Sequence, residues 1–161
     1  MSQRKRVLVV DDDPINTELI MAALAAQDVP HDTVVTHDGA EALDFLCCRG
    51  KFHALEGQPP VLVLLDLKMP LVDGLEFLRE RNASDSLKMI PVVVFTSSDE
   101  ESDRLESYRL GANAYVVKPI RYEEFLKAIR SISAFWAGIN RVPPAAPLGA
   151  QTAPAADAAA A

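Results

Sequence analysis

The chain has 161 residues, the size of one ordinary domain, with 49% apolar and 24% charged residues, enough to bury a core and keep a wetted surface. Its net charge of -7 argues against DNA or RNA as a direct partner, because phosphate binding needs a basic surface. No apolar stretch approaches the roughly 18–20 residues of a membrane span, and the run after the basic N-terminus is shorter than the about 7–15 residues of a signal peptide.

Five short, β-branched-rich apolar runs occur in order: Val7–Val10, Thr33–Val35, Val61–Leu65, Val92–Phe95 and Tyr115–Val117. They mostly do not alternate with polar residues, the pattern of strands covered on both faces. Segments with helical spacing lie between them. Asp13–Pro14 is an N-cap and first-position pair opening a helix over 14–27. Asp38–Gly39 opens a second helix running to about Cys48, and Asp73 a third over 74–81. Ser98 and Asp99 open a fourth, which Gly111 closes as a left-handed residue. The acidic run from Asp99 to Asp103 reads as a solvated helix start favoured by the helix dipole. A fifth helix begins near Arg121, with Phe125, Ile129, Ile132 and Trp136 at i, i+4, i+7 and i+11. Such alternation implies an open, doubly wound α/β fold with a five-stranded parallel sheet.

Cys47 and Cys48 are adjacent, so a bridge between them is badly strained; they read as small apolar fillers at a helix end. His31, His37 and His53 are scattered and suggest no metal cluster. This cysteine usage suits a reducing compartment, the cytoplasm. The segment 49–60 is a polar Gly/Pro-containing loop that looks inserted. After Asn140 the composition shifts: 143–161 is almost all Ala and Pro, with Leu148 its one large apolar residue. The expected organisation is a folded unit over 1–140 and an extended Pro/Ala-rich arm over 141–161 without a core of its own.

In an open parallel sheet, ligands bind beyond the carboxyl ends of the strands, near the switch in strand order. The first strand is followed by Asp11, Asp12 and Asp13, the third by Asp66, the fourth by Thr96 and the fifth by Lys118. Asp11, Asp12 and Asp66 are therefore expected to converge. Carboxylates so close cannot all stay ionised unaided, and a hard dication such as Mg²⁺ relieves them while keeping waters for substrate oxygens to displace. Lys118 adds a fixed positive charge and Thr96 a hydroxyl. The set suits a phosphoryl group made on Asp66. Taken singly, Asp13, Asp38 and Asp73 are most simply caps, and a lone Asp at a strand end is most often a turn residue. Specificity lies in the ordered set.

These residues resemble the receiver domain of two-component response regulators. The resemblance rests on 7–14 (VLVVDDDP), 64–70 (LLDLKMP) with Asp73-Gly74, 94–97 (VFTS) and 111–119 (GANAYVVKP), and covers residues 6 to about 133. It implies the flavodoxin-like strand order 2-1-3-4-5 and a phosphorelay switch rather than a turnover enzyme, taking a phosphoryl group from a histidine kinase. It implies Asp66 as phosphoacceptor, Asp12 as direct Mg²⁺ ligand, Asp11 as a ligand through water, and Lys68 as donor of a backbone carbonyl to the metal. Thr96 is implied as the hydroxyl that moves onto the phosphoryl group, Lys118 as its salt-bridge partner, Tyr115 as the aromatic switch that then turns inward, and Lys118–Pro119 as a cis peptide.

The longer loop before the third strand and the Phe135–Trp136 pair resemble the single-domain regulators that partner bacterial phytochromes, the red-light-sensing histidine kinases. That likeness implies a homodimer through the fifth helix, with Phe125, Ile132, Phe135 and Trp136 at the interface and each C-terminal arm lying across the other subunit. Two other classes stand beside this reading. A haloacid-dehalogenase-type Mg²⁺ phosphohydrolase would use Asp11 and Asp13 as its Asp-x-Asp pair, and steady ester hydrolysis would reveal it. A degenerate interaction module would bind without phosphorylation, but none of the five key positions is degenerate.

Overall fold

Strands of uninterrupted apolar residues need cover on both faces, and their neighbours supply it. The computed structural model describes residues 4–28 and 30–149. The elements are β1 (Lys5–Val10), α1 (Pro14–Ala25), β2 (His31–Thr36), α2 (Gly39–Leu46), β3 (Leu62–Leu65), α3 (Gly74–Asn82), β4 (Val92–Thr96), α4 (Glu101–Arg109), β5 (Ala114–Val117) and α5 (Tyr122–Ser133). All four strand pairings are parallel, in the order β2-β1-β3-β4-β5, as expected.

The continuous apolar runs hide a period of two. Val7, Val9, Leu62, Leu64, Val93 and Phe95 pack with Ile20, Leu24, Phe125, Ile129 and Ile132 in one core cluster, which belongs to α1 and α5. Leu8, Val10, Val63, Leu65, Val92 and Val94 pack with Phe45, Leu46, Phe77 and Leu78 in the other, which belongs to α2 and α3. Successive side chains of a strand point to opposite faces, so two helical layers hold one sheet. Arg81 of α3 is buried without a carboxylate partner among the described residues. It donates to the carbonyls of Gly111, Lys88 and Ile90, and burial pushes its pKa down to about 10.

Local signals place three helix starts. Asp13, Asp38 and Asp73 each accept backbone N–H groups of their own first turns, as caps do. The fourth start differs from expectation: α4 opens at Glu101 without a side-chain cap, and Ser98 and Asp99 stand outside it. α2 ends at Leu46 rather than Cys48, which has turned to φ 54. Gly111 closes α4 at φ 90, the left-handed conformation that favours glycine.

α5 departs most from the expected pattern. A π-helical turn over Ala134–Ile139 follows it and inserts one extra residue into the spiral. Ala137 therefore takes the inward position that i+11 spacing assigns to Trp136, and Trp136 swings to a half-exposed edge-to-face contact with Phe135. Phe125 and Ile132, expected at a dimer interface, are buried within their own chain, so that surface is already covered.

The arm also differs from expectation. Leu148 is buried in the α2–α3 core cluster of its own chain, against which Cys48, Phe52 and Leu55 pack, and its N–H donates to the Gly57 carbonyl at 2.7 Å. Through Leu148 this stretch completes the core beside the inserted loop, where the expected arm crosses to a second subunit. The expected tail beyond Gly149 lies outside the described residues.

Candidate functional site

The sheet ladder runs one step past its strands and delivers the polar set. The Asp11 N–H donates to the Thr36 carbonyl at 3.1 Å, Asp66 N–H to Val10 at 2.9 Å, and Lys118 N–H to Thr96 at 2.7 Å. Asp11, Asp66, Thr96 and Lys118 thus stand in a row along the carboxyl edge, on four adjacent strands. Gly74 lets α3 begin against this edge: a Cβ there would lie 2.3 Å from the Asp66 carbonyl oxygen, closer than any side chain tolerates.

Lys118 is the centre of charge. Its Nζ lies 2.7 Å from Asp11 Oδ2 and 3.1 Å from Asp66 Oδ2, and all three side chains are less than a tenth exposed. The other Asp11 oxygen accepts the Asp13 N–H at 2.9 Å, and Asp66 Oδ1 accepts the Leu67 N–H at 2.8 Å. Burial pushes the Asp11 carboxyl above its usual range, opposed by the bond and charge of Lys118. Asp12 is exposed, yet Asp11, Asp12 and Asp66 each offer an oxygen within 4.8 Å of the others. Three carboxylates face one ammonium, and the deficit of positive charge is the chemistry a divalent cation satisfies. Asp12 and Lys68 line the adjoining cleft of about 330 Å³ with Leu67, Met69, Pro70 and Asp73.

Thr96 is fully buried at the end of β4, and its hydroxyl oxygen accepts the Ser98 N–H at 3.3 Å. Tyr115 is half-buried and donates its hydroxyl to the Ser98 carbonyl at 2.8 Å, so the ring is already tied to the loop before α4; burial pushes its phenol up. Asp13 is not in the site: its Oδ1 accepts from Ile15 and Asn16 N–H groups, leaving no Asp-x-Asp pair for a haloacid-dehalogenase-type phosphohydrolase. Lys118–Pro119 is not cis, and no described peptide bond is; trans is the form that an ordinary X–Pro bond favours by about 0.5–1 kcal/mol.

Sequence reasoning missed Asp103. The reading of 99–103 as solvated puts it in water, but it is 8% exposed and holds both Ser98 and Lys68. A Ser five residues before it and a Ser four after are weak signals that a loop and helix fold back on one carboxylate.

The family model of the response regulator receiver domain matches residues 7–130. Response regulator Rcp1 of Synechocystis sp. (strain ATCC 27184 / PCC 6803 / Kazusa) is 36% identical over 133 residues, 82% of this chain and 88% of that protein. A structure of its Mn²⁺-bound form has a TM-score of 0.81 at 34% identity, covering 87% of this chain and 99% of that one. The phosphorylated cyanobacterial phytochrome response regulator RcpA has a TM-score of 0.83 at 35% identity, covering 88% of this chain and 100% of that one. The bacteriophytochrome response regulator AtBRR is 46% identical with a TM-score of 0.69, covering 87% and 100%. With the fold, the row of strand-end residues and these relatives in agreement, the chain belongs to the response regulator receiver domain family.

Proposed function

We propose that this receiver accepts a phosphoryl group on Asp66 from a phosphohistidine of a sensor kinase. The observation that carries the reading is the Asp11–Lys118–Asp66 constellation, which holds two nearly buried carboxylates on one ammonium at the strand ends, with Asp12 of the adjoining cleft within reach of both carboxylates. An Asp66 carboxylate oxygen attacks phosphorus, the phosphorus–nitrogen bond of the donor breaks, and the electron pair returns to the imidazole. Lys118 stays on the acceptor and balances charge on the transferred group. Asp11, Asp12 and Asp66, with the Lys68 carbonyl, would hold a Mg²⁺ ion, which when bound neutralises phosphoryl oxygens. The Mn²⁺-bound form of Rcp1 supports a divalent ion here. The Thr96 hydroxyl then moves toward the new dianion, and Tyr115 follows with the loop that it holds. Return is by hydrolysis: water oxygen bonds to phosphorus, the bond to Asp66 breaks, and inorganic phosphate leaves. The role is a switch rather than a turnover enzyme, and the two free cysteines suit the reducing cytoplasm.

The kinase is of the bacterial phytochrome class, a reading supported by the printed names of RcpA and AtBRR. Ile15 in the first turn of α1, Leu71 between β3 and α3, and Ile120 between β5 and α5 stand exposed on segments that follow the carboxyl ends of β1, β3 and β5, an apolar rim for a helical donor surface to cover. Residues 1–140 act as the receiver and 141–161 as its arm. The protein pairs as a homodimer through Phe135 and Trp136 at the end of α5, where exposed Phe135 and Ile139 flank the half-buried Trp136. Intact-mass measurement with Mg²⁺ and a phosphodonor tests the core of this reading: one phosphoryl group on the native chain and none on Asp66→Asn. A label retained in that variant overturns it. Sedimentation of the intact chain and Trp136→Ala tests the dimer, which a monomer at micromolar concentration rejects.

A further inference from the structure

An Asp in the first turn of a helix is ordinarily left in water, favoured by the dipole alone. Asp103, third in α4, is instead nearly buried. Its Oδ2 accepts the Ser98 hydroxyl at 2.6 Å and faces the Lys68 ammonium at 3.3 Å. Ser98 is a crossing point: its hydroxyl oxygen accepts the Glu100 N–H, its N–H reaches the Thr96 hydroxyl and its carbonyl accepts the Tyr115 hydroxyl. One carboxylate oxygen therefore ties Lys68, in the loop after the acceptor, to Ser98, which bonds both Thr96 and Tyr115. The Ser107 hydroxyl, bonded at 2.7 Å to the Asp103 carbonyl, fastens the same turn of α4 from the other side.

We propose that Asp103 is a positioning residue of the switch: the Lys68–Asp103–Ser98 junction registers α4 against the acceptor loop, and a phosphoryl group on Asp66 opens it by competing for Lys68. The inference rests on Asp66 being the acceptor. Lys68 follows Asp66 by two residues and lines the same cleft as Asp12, with a side chain 63% exposed and free to swing. A phosphoryl group brings about 1.5–2 negative charges to that cleft. One ammonium cannot serve both anions at full strength. As Lys68 turns to the acceptor, Asp103 keeps only a hydroxyl while still buried, which is unfavourable for a charge. The Ser98 loop and α4 then gain by moving together, and Tyr115 moves with them. Coupling of this kind is reciprocal, so a partner that draws α4 away also releases Lys68 toward the acceptor.

The test uses the full chain labelled with ¹⁵N, Mg²⁺, and acetyl phosphate as donor. The variants are Asp103→Asn, which keeps an acceptor for Ser98, Lys68→Met, and the two combined. In the unmodified protein each single variant is expected to move the amide signals of Ser98 and α4 partway toward their positions in the phosphorylated native chain. The double variant moves them no further. Phosphorylation of Asp103→Asn by acetyl phosphate is expected to quicken by up to about fivefold, the range of a half-exposed ion pair. Signals that stay at their native positions in both single variants, or displacements that add in the double variant, overturn the junction. A native chain that takes up no phosphoryl group overturns the reading of Asp66 instead, and the intact mass separates these two failures.

Discussion

Replacing Lys118 by Met tests the electrostatics of the site directly. Met keeps most of the aliphatic stem and removes the ammonium that lies between Asp11 and Asp66 at 2.7 and 3.1 Å. Removing one partner of a buried ion pair costs about 3–5 kcal/mol because the remaining charge is left without compensation. The lower end applies here, since Asp11 can relieve the strain by taking up a proton. A loss of about 3 kcal/mol lowers the melting temperature of a chain this size by roughly 6–12 °C. Without the ammonium the carboxylates are expected to bind a dication more tightly, and at saturating Mg²⁺ each tenfold gain in affinity returns about 1.4 kcal/mol more to the variant than to the native chain. Thermal melts in EDTA and in saturating Mg²⁺ measure both terms. The pH dependence has a defined sign. Burial already raises Asp11 above its ordinary 3.8, and losing Lys118 removes the contacts that oppose this rise. A carboxyl raised in the folded state binds more protons there than in the unfolded chain, so its penalty is largest above the raised range and shrinks as pH falls through it. A Lys118→Met protein as stable as the native one in EDTA at neutral pH, or one that gains no more from Mg²⁺, would refute the argument.

Asp12→Asn removes a charged ligand and weakens Mg²⁺ binding by at least about tenfold in a titration. Asp13→Asn keeps a capping oxygen and leaves that affinity within about twofold. Leu148→Ala costs about 2–3 kcal/mol in urea unfolding, the low end for a buried leucine because the arm can settle inward. That loss is independent of protein concentration, since Leu148 packs in the core of its own chain. Gly74→Ala, ordinarily a gain of about 1 kcal/mol in a helix, destabilises here and slows phosphorylation of Asp66, because the new methyl group displaces the acceptor's own carbonyl.

How much of this molecule is legible in its residues depends on the range of the interaction. Asp13, Asp38 and Asp73 act within their own first turns, and each is the cap that its position implies. Ser98 has the same local form, yet its hydroxyl is turned toward Asp103 and α4 begins three residues later. A cap preference of about 1 kcal/mol yields to a charge-assisted bond on a nearly buried carboxylate. The α5 stripe holds for Phe125, Ile129 and Ile132 and fails at Trp136, because one inserted residue rotates everything after it. The small Ala137 goes inward, and the Lys5 ammonium donates to its carbonyl. No spacing rule within α5 contains Lys5.

Strand–helix alternation, the cap residues and the order of Asp11, Asp12, Asp66, Thr96 and Lys118 are properties of the chain read in one direction. They suffice for a parallel doubly wound sheet with its chemistry at one edge, because sheet topology alone decides which strand ends become neighbours. Tertiary structure decided what depends on surface competed for by distant segments. It placed Leu148 in the core beside the inserted loop rather than on a second subunit, sealed Phe125 and Ile132 against the sheet, and drew Asp103 out of water to meet Lys68 and Ser98. Each outcome follows from burial or charge pairing between residues far apart in sequence, where local preferences of about 1 kcal/mol are outweighed by the packing and desolvation of the assembled fold.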